Sequence, residues 1–488
     1  MALPRAFLAV ALALGVAGAA PPVRPPAAAH WTTRTANPAA QAAFDRGLLM
    51  LYAFDAGEAR VAFAQAAALD PEFALAMWGE ALADAFDINI PTTAEGEKRG
   101  LAATERARRH LRNATEQEKA LVDALARRFG GEPHEGMRRY ADALSAYART
   151  HRDDPNVLTV TAYAIWNAED DLEKDGQPTA KAHELLADLD AALVLDPENL
   201  GAHHLRLHAL EHLARSREAI PDAEALDRRE YPLGTSHLPH MGGHIWARLG
   251  EYEKLIDDNT RAAANDRAWF AAGDGAGQHY MRNYEDHVLE FIAYGLTTLG
   301  RDAEAAAAVK GAAASVRADV AMRTRHWPEA ATLAPAGPGH AYALAKLGRT
   351  AEAQRERESF AATIREPQRA HNVVLALLDG ALAHDAAAAA VAYARGWKAE
   401  GVGRLGDPKN GWAVPIGELY GAALLRAQKP AEAEHVFRIE LGRFPNDPRL
   451  EFGLAEALRA QSKDDAAPRA AATAHWQGDR PLTRDEVG

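Results

Sequence analysis

The chain has 488 residues, 48% hydrophobic and 25% charged, enough for a large folded core and against wholesale disorder. Its formal net charge of −13 argues against a nucleic-acid binder or a polybasic membrane anchor, both of which need a basic surface. It has no cysteine, which excludes disulfides, thiolate metal sites, cysteine nucleophiles and blue-copper centres.

The N-terminus carries Arg5, an apolar run from Phe7 to Val16 and a small-residue Ala17-Gly18-Ala19 pattern. This predicts a secretory signal peptide over residues 1–20, too short to span a membrane. Export is therefore expected, to the periplasm in a Gram-negative source, with no spanning segment after cleavage. A Pro/Ala-rich linker is expected over 21–37, a helical domain over 38–465 and a polar tail over 466–488.

From Phe44 the chain reads FDRGLLMLYAFDAGEARVAFAQAAALDP. Gly47, Ala59, Phe63, Ala66 and Pro71 stand at the small, aromatic and proline positions of a tetratricopeptide repeat. Small residues let paired helices touch, the aromatic fills the space behind them, and proline cannot continue the second helix. Leu195-Asp196-Pro197 repeats Leu69-Asp70-Pro71. Leu249-Gly250, Leu299-Gly300 and Leu347-Gly348 read as turns between helices, and Ala433, Phe437 and Pro445 form a late copy. Alanine richness and the lack of alternating β-branched runs agree. The predicted fold is all-α, a tetratricopeptide-like α-solenoid of helical hairpins, curled on itself or open. Trp78, Trp166, Trp327 and Trp412 read as hairpin packing. Glu169-Asp170-Asp171 reads as an acidic turn.

The middle of the chain is different. Of 20 histidines, nine lie between His203 and His287, where chance would place roughly three or four. His204/His208 and His240/His244 are i,i+4 pairs, each on one helix face, and the two pairs are 36 positions apart. That is close to one repeat, so both pairs should face one groove. A third helix beginning near Asn283 carries His287 and Glu290 at i,i+3. Neutral imidazoles with a carboxylate suit a first-row metal such as zinc, copper or iron. The predicted ligands are His204, His208, His240, His244, His287 and Glu290, with Glu211 and His237 orienting them. His203, His212 and His279 read as structural. Gly242-Gly243 inside the second pair predicts a close backbone approach.

Several segments resemble a large bacterial family of tetratricopeptide-like proteins, distantly similar to the StaR-like repeat proteins. The resemblance rests on AMWGEALADAFDINIP (Trp78, Gly79, Asn89, Pro91), GAHHLRLHALE (His204, His208, Glu211), HMGGHIWARLGEYE (His240, His244) and DHVLEF (His287). RHWPEAATLAP (Trp327) and DPKNGWAVPIGELYGAALL (Asp407, Trp412, Pro415) extend it, and Trp166, Gly176 and Pro178 remain of an aromatic-rich segment. It covers roughly residues 38–465. It implies the repeat fold and carries the histidine pairs over, while Glu290 stands where the family places a second histidine. It implies no particular activity.

Two functions compete. One is a secreted metalloprotein, hydrolytic with zinc or oxidative with copper or iron, acting on a small molecule or peptide. The other is a metal-free scaffold binding a peptide or protein partner, with histidines as polar lining. A weaker third is acid–base catalysis by histidine with Glu211 or Glu290. No G-x-S-x-G elbow, Walker loop or dinucleotide fingerprint is present, so no nucleotide cofactor is expected.

Overall fold

A computed structural model describes residues 24–85, 92–169, 171–174, 177–273, 278–366, 368–401, 415–479 and 481–484, with the side chains of 278–283 left aside. The signal-peptide residues, Asn89, Pro91, Asp170, Gly176, Asp407, Trp412 and the side chains of His279 and Asn283 lie outside the described residues.

The described chain is built from α-helices that follow one another as antiparallel hairpins. The first fourteen are α1 (Pro38–Tyr52), α2 (Ala56–Leu69), α3 (Ala74–Ala83), α4 (Ala94–Arg109), α5 (Glu116–Leu125), α6 (Pro133–Ala148), α7 (Pro155–Ala168), α8 (Ala180–Leu195), α9 (Leu200–His212), α10 (Ile220–Asp227), α11 (His237–His240), α12 (Gly242–Leu249), α13 (Tyr252–Ala271) and α14 (Gln278–Leu299). Further helices run from Asp302 to His475. One two-residue β-pair, Glu173–Lys174 with Gln177–Pro178, interrupts them among the described residues.

The repeat signature works as the sequence implies. The Phe63 ring fills the space between α1 and α3. A Cβ added at Gly47 would lie 2.7 Å from that ring, and one at Gly79 2.6 Å. The same device recurs near the other end, where Phe437 lies against Gly421 and Gly453 at 2.5 and 2.4 Å from an added Cβ. In both copies the glycines stand 16 positions either side of the phenylalanine. The turns close with left-handed residues: Gly250 at φ 72°, Gly300 at 85° and Gly348 at 74°, as the Leu-Gly pairs predict.

Successive hairpins bury one long core from Ala27 through the His240 region to Phe291, continued by two others. The array folds back on itself. Asn446 Nδ2 donates to Gly250 O at 3.3 Å, Arg449 Nη1 donates to Thr297 O at 2.7 Å, and Gln477 N donates to Leu299 O at 2.7 Å. Repeats some 200 residues apart in sequence therefore touch, and the solenoid is curled.

The segments expected to be linker and tail are part of this body. Ala27 N donates to Glu230 O at 2.7 Å. Trp31 is buried edge-on against Trp78 and donates its indole N–H to Asp154 at 2.9 Å. Residues Ala466–His475 form a helix packed on Pro448–Ala460. The Trp31 indole and Ala472 have apolar surface to hide, and the adjoining repeats cover it.

Candidate metal centre

The histidine pairs sit on α9 and on the broken helix α11–α12. Asn199 caps α9, its side chain accepting from Ala202 N at 2.9 Å. Nearly every residue of α9 is buried, His203, His204 and His208 among them, while His212 at its end is exposed. At the α11–α12 break, an added Cβ at Gly242 would lie 2.2 Å from Asp258 Oδ2, and one at Gly243 2.4 Å from Asn259 Nδ2. The glycine pair is therefore the price of admitting two polar side chains of α13.

Six histidines meet. They form two triads whose ligand atoms lie within 4.8 Å of one another: His204, His208 and His237, and His240, His244 and His287. The sequence places all but His237 among the ligands and gives His237 an orienting role. In the structure its Nε2 lies 3.0 Å from His204 Nε2, inside the first triad. Glu290, one turn beyond His287, is half-buried and belongs to neither triad among the described residues. Both triads are wholly imidazole. The site is also buried inside the helix stack rather than laid along a groove. Of the six, only His287 is partly exposed.

The outward-facing ring nitrogens are held. His204 Nδ1 lies 2.7 Å from Tyr52 O, His240 Nδ1 2.6 Å from Asn259 Oδ1, and His244 Nδ1 3.2 Å from Glu211 Oε1. Asn259 Nδ2 donates to Leu255 O at 2.8 Å, which fixes its oxygen toward His240. A carbonyl, an amide oxygen and a carboxylate can only accept, so each Nδ1 carries a proton and donates. In the neutral ring each Nε2 then carries the lone pair. Yet His240 Nε2 and His244 Nε2 lie 2.9 Å apart, and His287 Nε2 is 3.1 Å from His240 Nε2.

The Glu211 carboxylate also accepts from Arg248 Nη2 at 2.9 Å. Burial alone would raise its pKa, but the neighbouring His244 ring and the Arg248 guanidinium bring it well below the usual range. Burial depresses the first triad too: His204 is pushed down to about 3, and His208 and His237 well below 6.5. These three imidazoles are neutral at physiological pH, the form a metal binds.

Aromatic rings close the centre against water. Phe54 packs on His204, His208 and His237 at centroid distances of 4.3, 5.9 and 5.0 Å. Phe291 packs on His240, His244 and His287 at 4.7, 4.7 and 5.0 Å. Trp166, predicted as hairpin packing, lies against His208 and His212 at 5.9 and 5.2 Å. Phe54 has a left-handed backbone, φ 58°, but so do Ala214, Arg325 and Gln428 at other helix ends. That conformation belongs to the fold and not to the site. His203 is structural, its nitrogens 2.7 Å from Asp222 and 3.0 Å from Pro197 O.

Sequence reasoning misses Phe54, Asn259, Arg248 and Phe291. Arg248 and Phe291 stand four residues after His244 and His287, on the same helix faces, and that spacing is a usable signal. Phe54 and Asn259 come from other helices and leave none.

No family model matches the chain, and no curated protein matches it. Among solved structures, it is similar to the anaphase-promoting-complex assembly of Cut9 and Hcn1, at 14% identity, covering 92% of this chain and 75% of that one with a TM-score of 0.36. It is similar to the human IFIT1 dimer with PPP-AAAA at 13% identity, covering 91% and 96%, with a TM-score of 0.37. The TPR domain of P58(IPK) follows at 13% identity, covering 87% and 89%, with a TM-score of 0.21. The repeat assignment rests on the Gly–Phe–Gly packing and hairpin succession of this chain itself.

Proposed function

We propose that this is an exported tetratricopeptide-like repeat protein whose buried histidines bind a first-row transition metal. One observation carries the reading: the two inward Nε2 lone pairs of His240 and His244 stand 2.9 Å apart while both Nδ1 atoms are committed as donors. Two acceptors at that distance repel unless a cation lies between them. A proton would make an imidazolium in a buried centre beside a Glu211 carboxylate that is already shared with Arg248. A metal accepts both lone pairs. Bonds of about 2.0–2.1 Å to a metal put neighbouring ligand nitrogens about 2.9–3.4 Å apart, which spans the 2.9 and 3.1 Å separations here.

The residues divide the work in the way metal sites require. His240, His244 and His287 would supply the lone pairs. Asn259 and Glu211 hold the rings and fix the tautomers. Phe291 excludes water, and His287, the partly exposed member, marks the side from which an ion reaches the site. All-imidazole ligation suits zinc or copper best, with iron next. Bound there, such an ion supplies Lewis acidity or, for copper and iron, electron transfer. Export is proposed from the Arg5, Phe7–Val16 and Ala17–Ala19 pattern. Among the described residues no helix is long and apolar enough to cross a membrane.

The test is elemental analysis of the full chain, purified without chelator or affinity tag, beside a His240→Ala, His244→Ala variant. The expected result is near-stoichiometric zinc, copper or iron that is lost in the variant. A metal-free wild type with a normally folded variant would overturn it. That outcome would leave the alternative, a repeat scaffold for a peptide or protein partner with histidines as its polar lining.

A further inference from the structure

The first triad presents its own unmet demand. His204, His208 and His237 are all buried. His204 donates from Nδ1 to Tyr52 O, so its Nε2 is a lone pair aimed at His237 Nε2, 3.0 Å away. Among the described residues His237 Nδ1 has no hydrogen-bond partner, and neither does His208 Nε2. No tautomer of His237 satisfies both its nitrogens. Proton on Nε2, it donates to His204 and leaves Nδ1 a bare acceptor among aromatic rings. Proton on Nδ1, it sets two lone pairs face to face and strands an N–H. His208 Nε2 is a second orphaned nitrogen. Buried polar atoms are nearly always paired, so two such rings beside His204 in one place, sealed by Phe54, point to a group that takes lone pairs.

The two triads are built alike. Each takes an i,i+4 pair from one helix and a single histidine from the helix after next, with one phenylalanine touching all three rings. They also adjoin. The His237 and His240 ring centroids are 5.9 Å apart, and those of His208 and His244 are 6.0 Å apart. His237 opens α11 and His240 ends it, so one four-residue helix contributes to both sets. Resting on the metal-centre reading above, we infer that His204, His208 and His237 hold a second ion, so that the buried histidines form a dinuclear centre for two divalent first-row cations. His237 is then a ligand, and α11 is the element that fixes the spacing of the two ions.

Metal content of the full chain tests this in three proteins: wild type, a His204→Gln, His208→Leu variant, and a His244→Leu, His287→Gln variant, each checked for helical content by circular dichroism. Two ions per chain in wild type and one in each variant is the expected result. One ion in wild type, kept by the His204/His208 variant and lost by the other, would overturn the dinuclear inference and leave the single-ion reading standing. No ion in any of the three would overturn both. If a variant fails to fold, wild type reconstituted with Cu(II) decides alone. Two close spins give a half-field line in the electron paramagnetic resonance spectrum, whereas an isolated Cu(II) signal at one ion per chain would overturn the inference.

Discussion

Two regions of this molecule bury polar side chains, and they do it in opposite ways. Where the array folds back, Arg323, Glu418, Asp447 and Arg449 are all buried and charged. Arg323 Nη1 donates to Glu418 at 2.9 Å, Asp447 caps the helix Pro448–Ala460 by accepting from Arg449 N at 2.9 Å, and Arg449 Nη1 donates to the end of α14. Two positive and two negative charges balance within the protein. In the histidine centre the protein holds the Nδ1 atoms of His204, His240 and His244, while Nε2 atoms face one another and His237 Nδ1 and His208 Nε2 lack a hydrogen bond among the described residues. A buried cluster whose charges balance within the protein is architecture, even where single donors such as Arg323 Nε and Nη2 make no hydrogen bond. One that closes only on its outer side is made to hold something.

That contrast can be broken most sharply at the ionic cluster. Glu418→Ala strands the Arg323 guanidinium and should cost about 3–5 kcal/mol of unfolding free energy in urea titrations. Metal content of the surviving folded protein should stay unchanged. If metal falls in step with stability, the two regions are one cooperative unit and the contrast fails.

Glu211→Gln acts on the other side. It keeps the side-chain shape but weakens the anchor of His244 Nδ1 and removes the charge paired with Arg248. Competition with a chromophoric chelator should show metal affinity falling about 10–100-fold. An unchanged affinity would mean that Glu211 serves only Arg248.

The depressed histidines set a pH dependence. The folded protein holds His204 at about 3, and His208 and His237 well below 6.5, while the unfolded chain titrates near 6.5. Folded-state values below unfolded ones give stability that is present above pH 6.5 and lost as pH falls from there toward 3. Thermal melts of chelator-treated protein should therefore show a lower midpoint at pH 5 than at pH 7.5. A flat profile would mean that these rings are hydrated or already protonated when folded.

The smallest effect is the most telling for the comparison. His208→Leu replaces an unpartnered buried nitrogen by an apolar group of similar size. In metal-free protein it should leave stability unchanged or raise it by up to about 1 kcal/mol. A loss of several kcal/mol would make His208 a structural partner after all.

Most of the fold is legible in the sequence, because a repeat writes its packing locally. Gly47, Phe63 and Pro71 identify one hairpin, and Phe437 identifies its distant copy. The partner glycines Gly79, Gly421 and Gly453 go unread, since they meet the aromatic only across helices. The boundaries of the body are less legible. Trp31 looks like linker because Trp78 and Asp154, which hold it, lie far away in the chain.

The centre is legible in part for the same reason. The i,i+4 pairs and their 36-residue offset bring four histidines into view, and the third helix adds His287. What escapes is the division into two triads and the place of His237. These depend on the break at Gly242-Gly243 and on α13 pressing Asn259 into it, and helix periodicity carries no trace of either.

The most direct measurement is a crystal of the protein, purified without chelator, with diffraction recorded above and below the absorption edge of whichever metal fluorescence detects. The account predicts an anomalous peak within bonding distance of both His240 Nε2 and His244 Nε2. The absence of a peak, with those two nitrogens still about 2.9 Å apart, would contradict it and leave a shared proton as the cation between them.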